Sequence, residues 1–258
     1  MVARGQAATR SAAENWIRLG KVLVDGVVAH KPGMFVDEST QIKLVAHERY
    51  VSRAGLKLAS VAQQLNISFD NTIVLDVGSS TGGFTDYALQ HGARMVYAVD
   101  VGTEQLHPSL RGDPRIELHE KTDIRDFVPA ATLDIIVIDV SFISLRKILP
   151  HLVHISSSHT SIIAMVKPQF EIGKERLGHG GVVRNPEHHV ETVDNVARCA
   201  MGLGLDIAAI AASPLPGPSG NVEYFLFMRR AYPDPIKADE LTDYIRRAVA
   251  EGPAGRQS

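Results

Sequence analysis

The length of 258 residues, 45% of them hydrophobic and 22% charged, allows one large hydrophobic core and a small additional module, and it argues against a disordered chain. A single cysteine, Cys199, excludes an intramolecular disulfide bond and a zinc site built from cysteines, and no other metal site is indicated. The sequence has neither a signal peptide nor an apolar run of the roughly 18 residues that span a bilayer. We therefore expect a cytoplasmic protein without membrane segments.

The net charge of −2 is unevenly distributed along the chain. Residues 1–59 carry nine Lys or Arg against five Asp or Glu, whereas the remaining residues carry 18 against 24. A basic front segment on an acidic body favours contact with a polyanion such as nucleic acid through the front segment. A solvated basic face without a partner is the alternative.

The first 46 residues have the pattern of a small α+β module. Thr9 or Ser11 is placed to cap a helix that runs through Leu19. The dipeptide at 25–26 is a tight-turn sequence between two short apolar strands, 21–24 and 27–28. A further short strand is predicted at 40–45 from its alternation of apolar and polar residues.

From residue 53 onward, the pattern alternates between helices and strands. An amphipathic helix is predicted over 53–65, and a later helix over 186–203 has Asn185 as its N-cap and Pro186 at its first position. Seven strands are predicted at 73–77, 95–101, 115–119, 134–140, 161–167, 206–212 and 223–229. Alternation of this kind predicts a Rossmann-like α/β domain whose seven-stranded, mostly parallel sheet is covered by helices on both faces.

Four charged residues close apolar strands: Asp76, Asp100, Asp139 and Lys167. The carboxyl ends of parallel strands meet at one edge of the sheet, and ligands bind there where the strand order reverses. The last strand of such a sheet is commonly antiparallel, so Glu223 at its start is expected at the same edge. A nucleophile activated between Asp139 and Lys167 and a purely structural ion pair are both compatible with this pattern.

The first strand leads into a glycine-rich turn, DVGSSTGGF at 76–84. It is neither a P-loop nor G-x-G-x-x-G, because no Lys-Ser or Lys-Thr follows and Ser80 replaces the second glycine. The turn therefore fits an adenosyl group without phosphates, with Asp100 accepting hydrogen bonds from the ribose. Asp123, after Thr122, is expected either to receive the adenine amino group or to cap a helix. For the turn itself, tight packing is the alternative.

Five segments resemble the TlyA family in this order: SRAGLKL at 52–58, DVGSSTGGF at 76–84, DVSFISL at 139–145, VKPQFE at 166–171 and GPSGNVEYF at 217–225. The resemblance covers essentially the whole chain. It implies an S-adenosylmethionine-dependent methyltransferase domain similar to FtsJ, preceded by an S-four type RNA-binding module. The activity that the resemblance implies is methylation of ribose 2'-hydroxyls of ribosomal RNA, with cytidine as the expected target.

The resemblance further implies a catalytic tetrad, which falls here on Lys57, Asp139, Lys167 and Glu223. The resemblance adds Lys57 to this set. From the helix pattern alone, Lys57 would be expected to lie in solvent. The residues expected to bind the cofactor are Asp76, Gly78, Ser80, Thr81, Gly82, Gly83, Phe84, Asp100, Thr122, Asp123 and Asp139. The candidate RNA contacts are basic residues of the front segment and of a loop at 173–181: Arg10, Arg18, Lys21, Arg53, Lys174 and Arg176. The alternative for the loop at 173–181 is that it is simply exposed to solvent and binds no partner.

The expected domains are an RNA-binding module at 1–46, a linker at 47–52 and a methyltransferase domain at 53–258. No counterpart of the family's opening Arg-Leu-Asp segment precedes Met1, so we expect a module without its first helix. Three alternative functions are a dinucleotide-dependent oxidoreductase, a membrane-lysing hemolysin and a non-catalytic RNA-binding protein of the ribosome. The sequence determines neither the oligomeric state nor the ribosomal subunit.

Overall fold

The computed structural model describes residues 1–4, 6, 10–18, 20–44, 49–217 and 219–252; within these ranges the side chains of residues 11, 12, 15, 18, 44, 174 and 179 are not described. The chain divides into two compact units, Met1–Arg49 and Tyr50–Ser258. This division falls inside the predicted linker at 47–52, of which residues 47 and 48 lie outside the described residues.

The described residues of the first unit form a 3-10 turn at Val2–Arg4, one α-helix and one small sheet. Helix α1 (Arg10–Arg18) is followed by strands β1 (Val22–Val24), β2 (Val27–Val28) and β3 (Ile42–Leu44), which form an antiparallel sheet in the order β2-β1-β3. Asp25 and Gly26 both have positive φ, 49° and 83°, as the predicted two-residue hairpin turn requires. Trp16, Val22 and Ala29 form its small core. The predicted capping residue Thr9 and the side chain of Ser11 lie outside the described residues.

The second unit alternates strands and helices. Its helices are α2 (Arg53–Gln64), α3 (Gly83–Gln90), α4 (Leu149–Ile155), α5 (Pro168–Glu171), α6 (Pro186–Gly202) and α7 (Leu241–Glu251). Its strands are β4 (Ile73–Val77), β5 (Met95–Val99), β6 (Ile116–His119), β7 (Ile135–Ile138), β8 (Ser161–Val166), β9 (Asp206–Ala212) and β10 (Tyr224–Arg229). Short 3-10 turns occur at Ile124–Asp126, Leu145–Lys147, Lys174–Arg176 and His179–Gly181.

The seven strands form one sheet in the order β6-β5-β4-β7-β8-β10-β9. All neighbours run parallel except β10, which is antiparallel to both β8 and β9. The chain winds from β4 to one side and then returns to β7 on the other side, so the strand order reverses between these two strands. A ligand site is expected outside the carboxyl ends of β4 and β7. The predicted fold class is confirmed.

Both faces of the sheet are buried, which explains the continuous apolar runs in the sequence. Val74, Val137 and Ile163 belong to the hydrophobic cluster on one face. Leu75 and Ile136, their neighbours along the strands, belong to the cluster on the other face. Because successive side chains of a strand point to opposite faces, most residues of the central strands are apolar, and the buried Asp76 in β4 is an exception.

Helix α6 begins as the sequence predicts. Asn185 Oδ1 accepts a hydrogen bond from the backbone N–H of Glu187 at 3.0 Å, and Pro186 occupies the first turn. The helix ends at Gly202, one residue before the predicted end. Among the residues that the structure describes, no helix combines the length and apolar character that a membrane crossing needs.

Candidate active site

The sheet register places three of the four tetrad residues side by side at its carboxyl edge. Val77 of β4 pairs with Ile138 of β7, and Val166 of β8 pairs with Tyr224 of β10. Asp139 and Lys167 each follow their strand by one residue, and Glu223 precedes β10 by one residue. The antiparallel direction of β10 is therefore what brings Glu223 to this edge, as predicted.

Lys167 and Asp139 form an ion pair at this edge. The distance from Lys167 Nζ to Asp139 Oδ1 is 2.6 Å, and 12% and 18% of the two side chains are exposed. The contact is an ion pair by distance only, since Oδ1 is not aligned with the amine as a hydrogen-bond acceptor. Lys167 Nζ donates instead to Ser141 Oγ at 3.1 Å. The amine thus lies between a carboxylate and a hydroxyl of the segment that follows β7.

Lys57 and Glu223 form the second ion pair, and this one is buried. Lys57 Nζ donates to Glu223 Oε2 at 2.5 Å, with only 8% and 2% of the side chains exposed. Lys57 reaches this position from helix α2, whose buried residues also include Leu58 and Val61. A buried lysine of this kind requires a partner, because burying an unpaired charge is costly. The structure thus brings the four tetrad residues to one edge of the sheet as two ion pairs.

Glu171 is a residue of this region that the sequence reasoning missed. Its carboxylate accepts hydrogen bonds from Ser144 Oγ at 2.6 Å and from the backbone N–H of Leu145 at 2.7 Å. Burial raises the pKa of the Glu171 carboxyl above its usual range, and these hydrogen bonds oppose the rise. Glu171 therefore ties the segment after β8 to the segment after β7, the two segments that carry Lys167 and Asp139. The only signal in the sequence was its place in the VKPQFE motif.

A cavity of about 480 Å³ opens beside these residues, at the carboxyl ends of β4, β5 and β7. This volume is within the usual range for sites that hold a small ligand. The predicted cofactor residues on its lining are Gly78, Ser80, Asp100, Thr122, Asp123 and Asp139. As far as the structure describes the chain, the lining contains three carboxylates and no lysine or arginine. The cavity therefore favours a cationic or neutral ligand over one that carries phosphates.

Five residues predicted to contact the cofactor lie outside this lining: Asp76, Thr81, Gly82, Gly83 and Phe84. Phe84 is buried and its ring faces that of Phe225 at a centroid distance of 6.4 Å. A Cβ at Gly83 would lie 2.8 Å from Ala54 Cβ, so this glycine permits close packing of α3 against α2. Gly83 and Phe84 thus make packing contacts, and the cofactor contact expected of the five residues stays a prediction.

Gly78 is the glycine that shapes the cavity floor. It has φ of +80°, and a Cβ there would lie 2.8 Å from the backbone oxygen of Asp139. Only glycine allows the ends of β4 and β7 to approach so closely. The turn after β4 is therefore held directly against the residue that pairs with Lys167.

Asp100 and Asp123 both face the cavity, but their carboxylates have different partners. Asp100 accepts hydrogen bonds from the backbone N–H groups of Ser80 at 2.9 Å and Gly102 at 2.7 Å, which fixes its orientation. Asp123 caps the turn at Ile124–Asp126 and binds the Arg125 guanidinium through both oxygens. These hydrogen bonds to Arg125 lower the pKa of Asp123 to about 2. The capping alternative for Asp123 is thus observed, and its contact with adenine stays a prediction.

Asp76 lies inside β4 rather than at its end, and it is fully buried. Its Oδ2 atom accepts hydrogen bonds from the backbone N–H of Thr85 at 2.9 Å and from Thr85 Oγ1 at 2.6 Å. Burial, aided by repulsion from Asp139 and Asp100, raises the pKa of Asp76 to about 7 against the opposing hydrogen bonds. Its role is to anchor the start of α3 rather than to face the cavity.

Replacing Asp76 by asparagine should change how stability depends on pH. The raised pKa means that folding favours the protonated carboxyl, so the contribution of Asp76 to stability is complete below about pH 4 and falls until about pH 7, by on the order of 4 kcal/mol. The free energy of unfolding of wild type minus that of Asp76→Asn should therefore decrease over this interval, as measured by urea unfolding at several pH values. A difference that is constant with pH would contradict the assignment.

The basic residues predicted to contact RNA have varied surroundings. Arg10 pairs with Glu14 at 3.1 Å, and Arg176 binds both carboxylate oxygens of Glu191 at 2.7 Å. The side chain of Lys21 is exposed. Arg53 is half-buried and donates to the backbone oxygen of Pro216 at 2.7 Å. The side chains of Arg18 and Lys174 lie outside the described residues.

Models of known protein families match both the methyltransferase part and the RNA-binding part of the chain. The model of the FtsJ-like methyltransferase family matches residues 50–230, and the model of the S4 domain matches residues 1–42. A relative from Mycobacterium tuberculosis, the 16S/23S rRNA (cytidine-2'-O)-methyltransferase TlyA, is 44% identical over 258 residues, which covers 98% of this chain and 96% of the relative. The chain belongs to the TlyA family.

Other members of the TlyA family carry two kinds of name. The 23S rRNA (cytidine-2'-O)-methyltransferase TlyA of Campylobacter jejuni is 38% identical over 181 residues, covering 70% of this chain and 71% of the relative. A solved structure from Streptococcus thermophilus that is named as a hemolysin is 36% identical, with a TM-score of 0.77 over 100% of this chain and 97% of that one. The resemblance inferred from the five motifs is thus confirmed, and with it the methyltransferase class of the second unit.

Proposed function

We propose that this protein transfers the methyl group of S-adenosylmethionine to a ribose 2'-hydroxyl of cytidine in ribosomal RNA. The observation that carries the proposal is that the Lys167–Asp139 and Lys57–Glu223 ion pairs lie at the carboxyl edge of the sheet in a methyltransferase fold, with Asp139 on the lining of an acidic cavity. The names of the relatives from M. tuberculosis and C. jejuni support the same substrate class, and the S4 domain supports binding to RNA.

The residues around the cavity fit S-adenosylmethionine. Val99, Val101 and Ile124 supply apolar walls, and Asp100 is an oriented acceptor for ribose hydroxyls. The carboxylates of the lining suit a ligand that carries a sulfonium and an ammonium group. A dinucleotide fits less well, since no lysine or arginine among the described lining residues would balance a pyrophosphate. This argument from charge stands against the oxidoreductase alternative.

When bound, S-adenosylmethionine supplies a methyl group that is already activated by the positive charge on sulfur. The protein then has to orient a 2'-hydroxyl and take up its proton. In this proposal Lys167, whose amine contacts Asp139 and Ser141, holds that hydroxyl and accepts the proton. To accept the proton, Lys167 has to enter the step as the neutral amine, so its contact with Asp139 at 2.6 Å has to open and its own proton has to leave for solvent as the substrate enters. In the alternative mechanism, Lys167 stays charged and only orients the hydroxyl.

Lys57 and Glu223 form the other ion pair at the carboxyl edge of the sheet. Their buried ion pair fixes helix α2 to the start of β10, next to Lys167 in the sheet register. Glu223, paired with Lys57, thereby lies next to Lys167 in the sheet register. Its expected role is to keep the amine and the hydroxyl in line.

Replacing Asp100 by alanine should weaken the binding of S-adenosylmethionine about 10- to 100-fold, because hydrogen bonds to a charged group contribute roughly 1.5 to 3 kcal/mol. Calorimetric titration with S-adenosylmethionine gives the affinity directly. Asp113→Ala is a suitable control, since the Asp113 carboxylate is held by Arg115 at 2.7 Å and does not line the cavity. Equal affinities of Asp100→Ala and wild type would count against the ribose contact.

The proposed function is tested by incubating the protein with labelled S-adenosylmethionine and isolated small and large ribosomal subunits, followed by mapping of the labelled nucleotide. We expect label on the 2'-oxygen of a cytidine in one or both subunits. Transfer to a base, or no transfer to either subunit, would reject the proposal. The assay also identifies the ribosomal subunit that is methylated, because one relative is named for 16S and 23S rRNA and the other for 23S rRNA alone.

A further inference from the structure

The segment from Ser213 to Glu223, called the 213–223 loop below, presents the tetrad carboxylate. Three backbone hydrogen bonds join its described residues: Ser213 N–H to the oxygen of Glu223 at 2.8 Å, Gly217 N–H to the oxygen of Asn221 at 2.8 Å, and Gly220 N–H to the oxygen of Gly217 at 3.0 Å. Pro214 and Pro216 stiffen it but have no N–H to donate. Contacts from elsewhere in the chain also hold the loop, and at its far end Asn221 Oδ1 accepts a hydrogen bond from the backbone N–H of Val183 at 2.9 Å.

Gly217 brings the loop into direct contact with the tetrad carboxylate. A Cβ at this position would lie 2.7 Å from Glu223 Oε1, closer than real contacts allow. The carboxylate thus packs against the bare backbone of Gly217, while its other oxygen binds Lys57. Any displacement of the backbone at 216–217 is transmitted to Glu223.

Arg53 supplies the external donor at that point. Its Nη2 atom donates to the backbone oxygen of Pro216, the residue before Gly217, at 2.7 Å. Arg53 lies four residues before Lys57 on α2, so the two side chains emerge from the same face of the helix. Helix α2 therefore holds the 213–223 loop twice, once through the carbonyl of Pro216 and once through the carboxylate of Glu223.

We infer that Arg53 is a positioning residue that holds the 213–223 loop so that Glu223 meets Lys57, and that it is not an RNA contact. It is an alternative to the RNA contact predicted from the basic character of Arg53. The inference rests on the proposed function for its effect on catalysis, whereas its structural part concerns only the hydrogen bond between Arg53 and Pro216. A phosphate contact would need the guanidinium to face the solvent; here it is half-buried and engaged with backbone.

The test compares Arg53→Ala with Gly217→Ala, which removes no charge but disturbs Glu223 through the same loop. We expect both variants to lower kcat at least tenfold while the KM for ribosomal subunits and the calorimetric affinity for S-adenosylmethionine stay within twofold of wild type. Arg94→Ala is the matched control, since Arg94 is exposed and precedes β5 at the opposite edge of the sheet. It should leave kcat unchanged.

A phosphate contact gives a different result. Arg53→Ala would then raise the KM for subunits, leave kcat unchanged and reduce the slope of log affinity against log salt by about one. The conservative variant Arg53→Lys is measured as well, because a lysine at this position would preserve a phosphate contact and restore the KM. A raised KM with a reduced salt slope in Arg53→Ala overturns the inference.

A readout that needs no RNA separates this inference from the proposed function. If Arg53 acts through Glu223, the shift in the urea-unfolding midpoint caused by Arg53→Ala should be smaller in a Glu223→Leu background than in wild type. Equal shifts in both backgrounds overturn the inference. Coupled shifts without any methyl transfer to either subunit support the positioning role and reject the proposed function.

Discussion

Lys167→Ala is expected to lower the rate of methyl transfer by about 10²- to 10⁴-fold, the range that a positioned acid or base contributes. Affinity for S-adenosylmethionine should stay nearly unchanged, because Lys167 does not line the cavity and its amine contacts Asp139 and Ser141 beside it. Single-turnover rates with ribosomal subunits measure the first quantity, and calorimetry measures the second.

Two further variants sharpen this prediction. Lys147→Ala removes the same charge from an exposed lysine of the neighbouring 3-10 turn and should keep wild-type rates. Lys167→Arg keeps a positive charge that does not readily accept a proton, so it should be inactive if Lys167 is the base and partly active if Lys167 only orients the hydroxyl. Turnover of Lys167→Ala close to wild type would reject any catalytic role for this residue.

Breaking the Lys57–Glu223 pair should have the largest effect on stability. Removing one partner leaves the other charge buried without compensation, which typically costs about 3 to 5 kcal/mol. Lys57→Met and Glu223→Leu are each expected to lose this much free energy of unfolding and to be inactive. The double variant should recover most of the stability, since replacing a buried ion pair with apolar groups is often neutral, yet it should remain inactive.

Urea unfolding of the four proteins gives the coupling between the two positions, and rates of methyl transfer give the functional part. The contrast between recovered stability and absent activity is what separates a catalytic pair from a structural one. Single variants that lose less than about 1 kcal/mol would mean that the pair is solvated. A double variant that retains wild-type rates would remove both residues from the catalytic machinery.

Much of the site could be located from the strand pattern alone. Asp139 and Lys167 close apolar runs, and parallel strands bring such ends to one edge, so their proximity follows from local sequence and the sheet type. Glu223 required one more assumption, an antiparallel last strand, which the structure confirms. The glycine-rich turn was found in the same way, but the pattern did not show which of its residues would face a ligand.

Helix α2 shows where the pattern fails. Its amphipathic interpretation places Leu56 with the apolar residues and Lys57 in solvent, yet Leu56 is 41% exposed and Lys57 is 6% exposed. Nothing in the local sequence indicates that Lys57 is buried, since its partner Glu223 lies 166 residues away. Resemblance to the TlyA family singled out this lysine, and the contact that explains it is visible only in the folded chain.

Local sequence is sufficient to predict the order of helices and strands, the parallel sheet and the edge at which charged residues collect, because hydrophobic periodicity and strand ends are local properties. The pairing of those charges required the folded chain. Lys57 with Glu223, Arg53 with Pro216 and Glu171 with Ser144 join residues 166, 163 and 27 positions apart. Such contacts depend on how packed elements meet in space, and the energy of a buried ion pair or hydrogen bond exists only once packing has removed water from both partners.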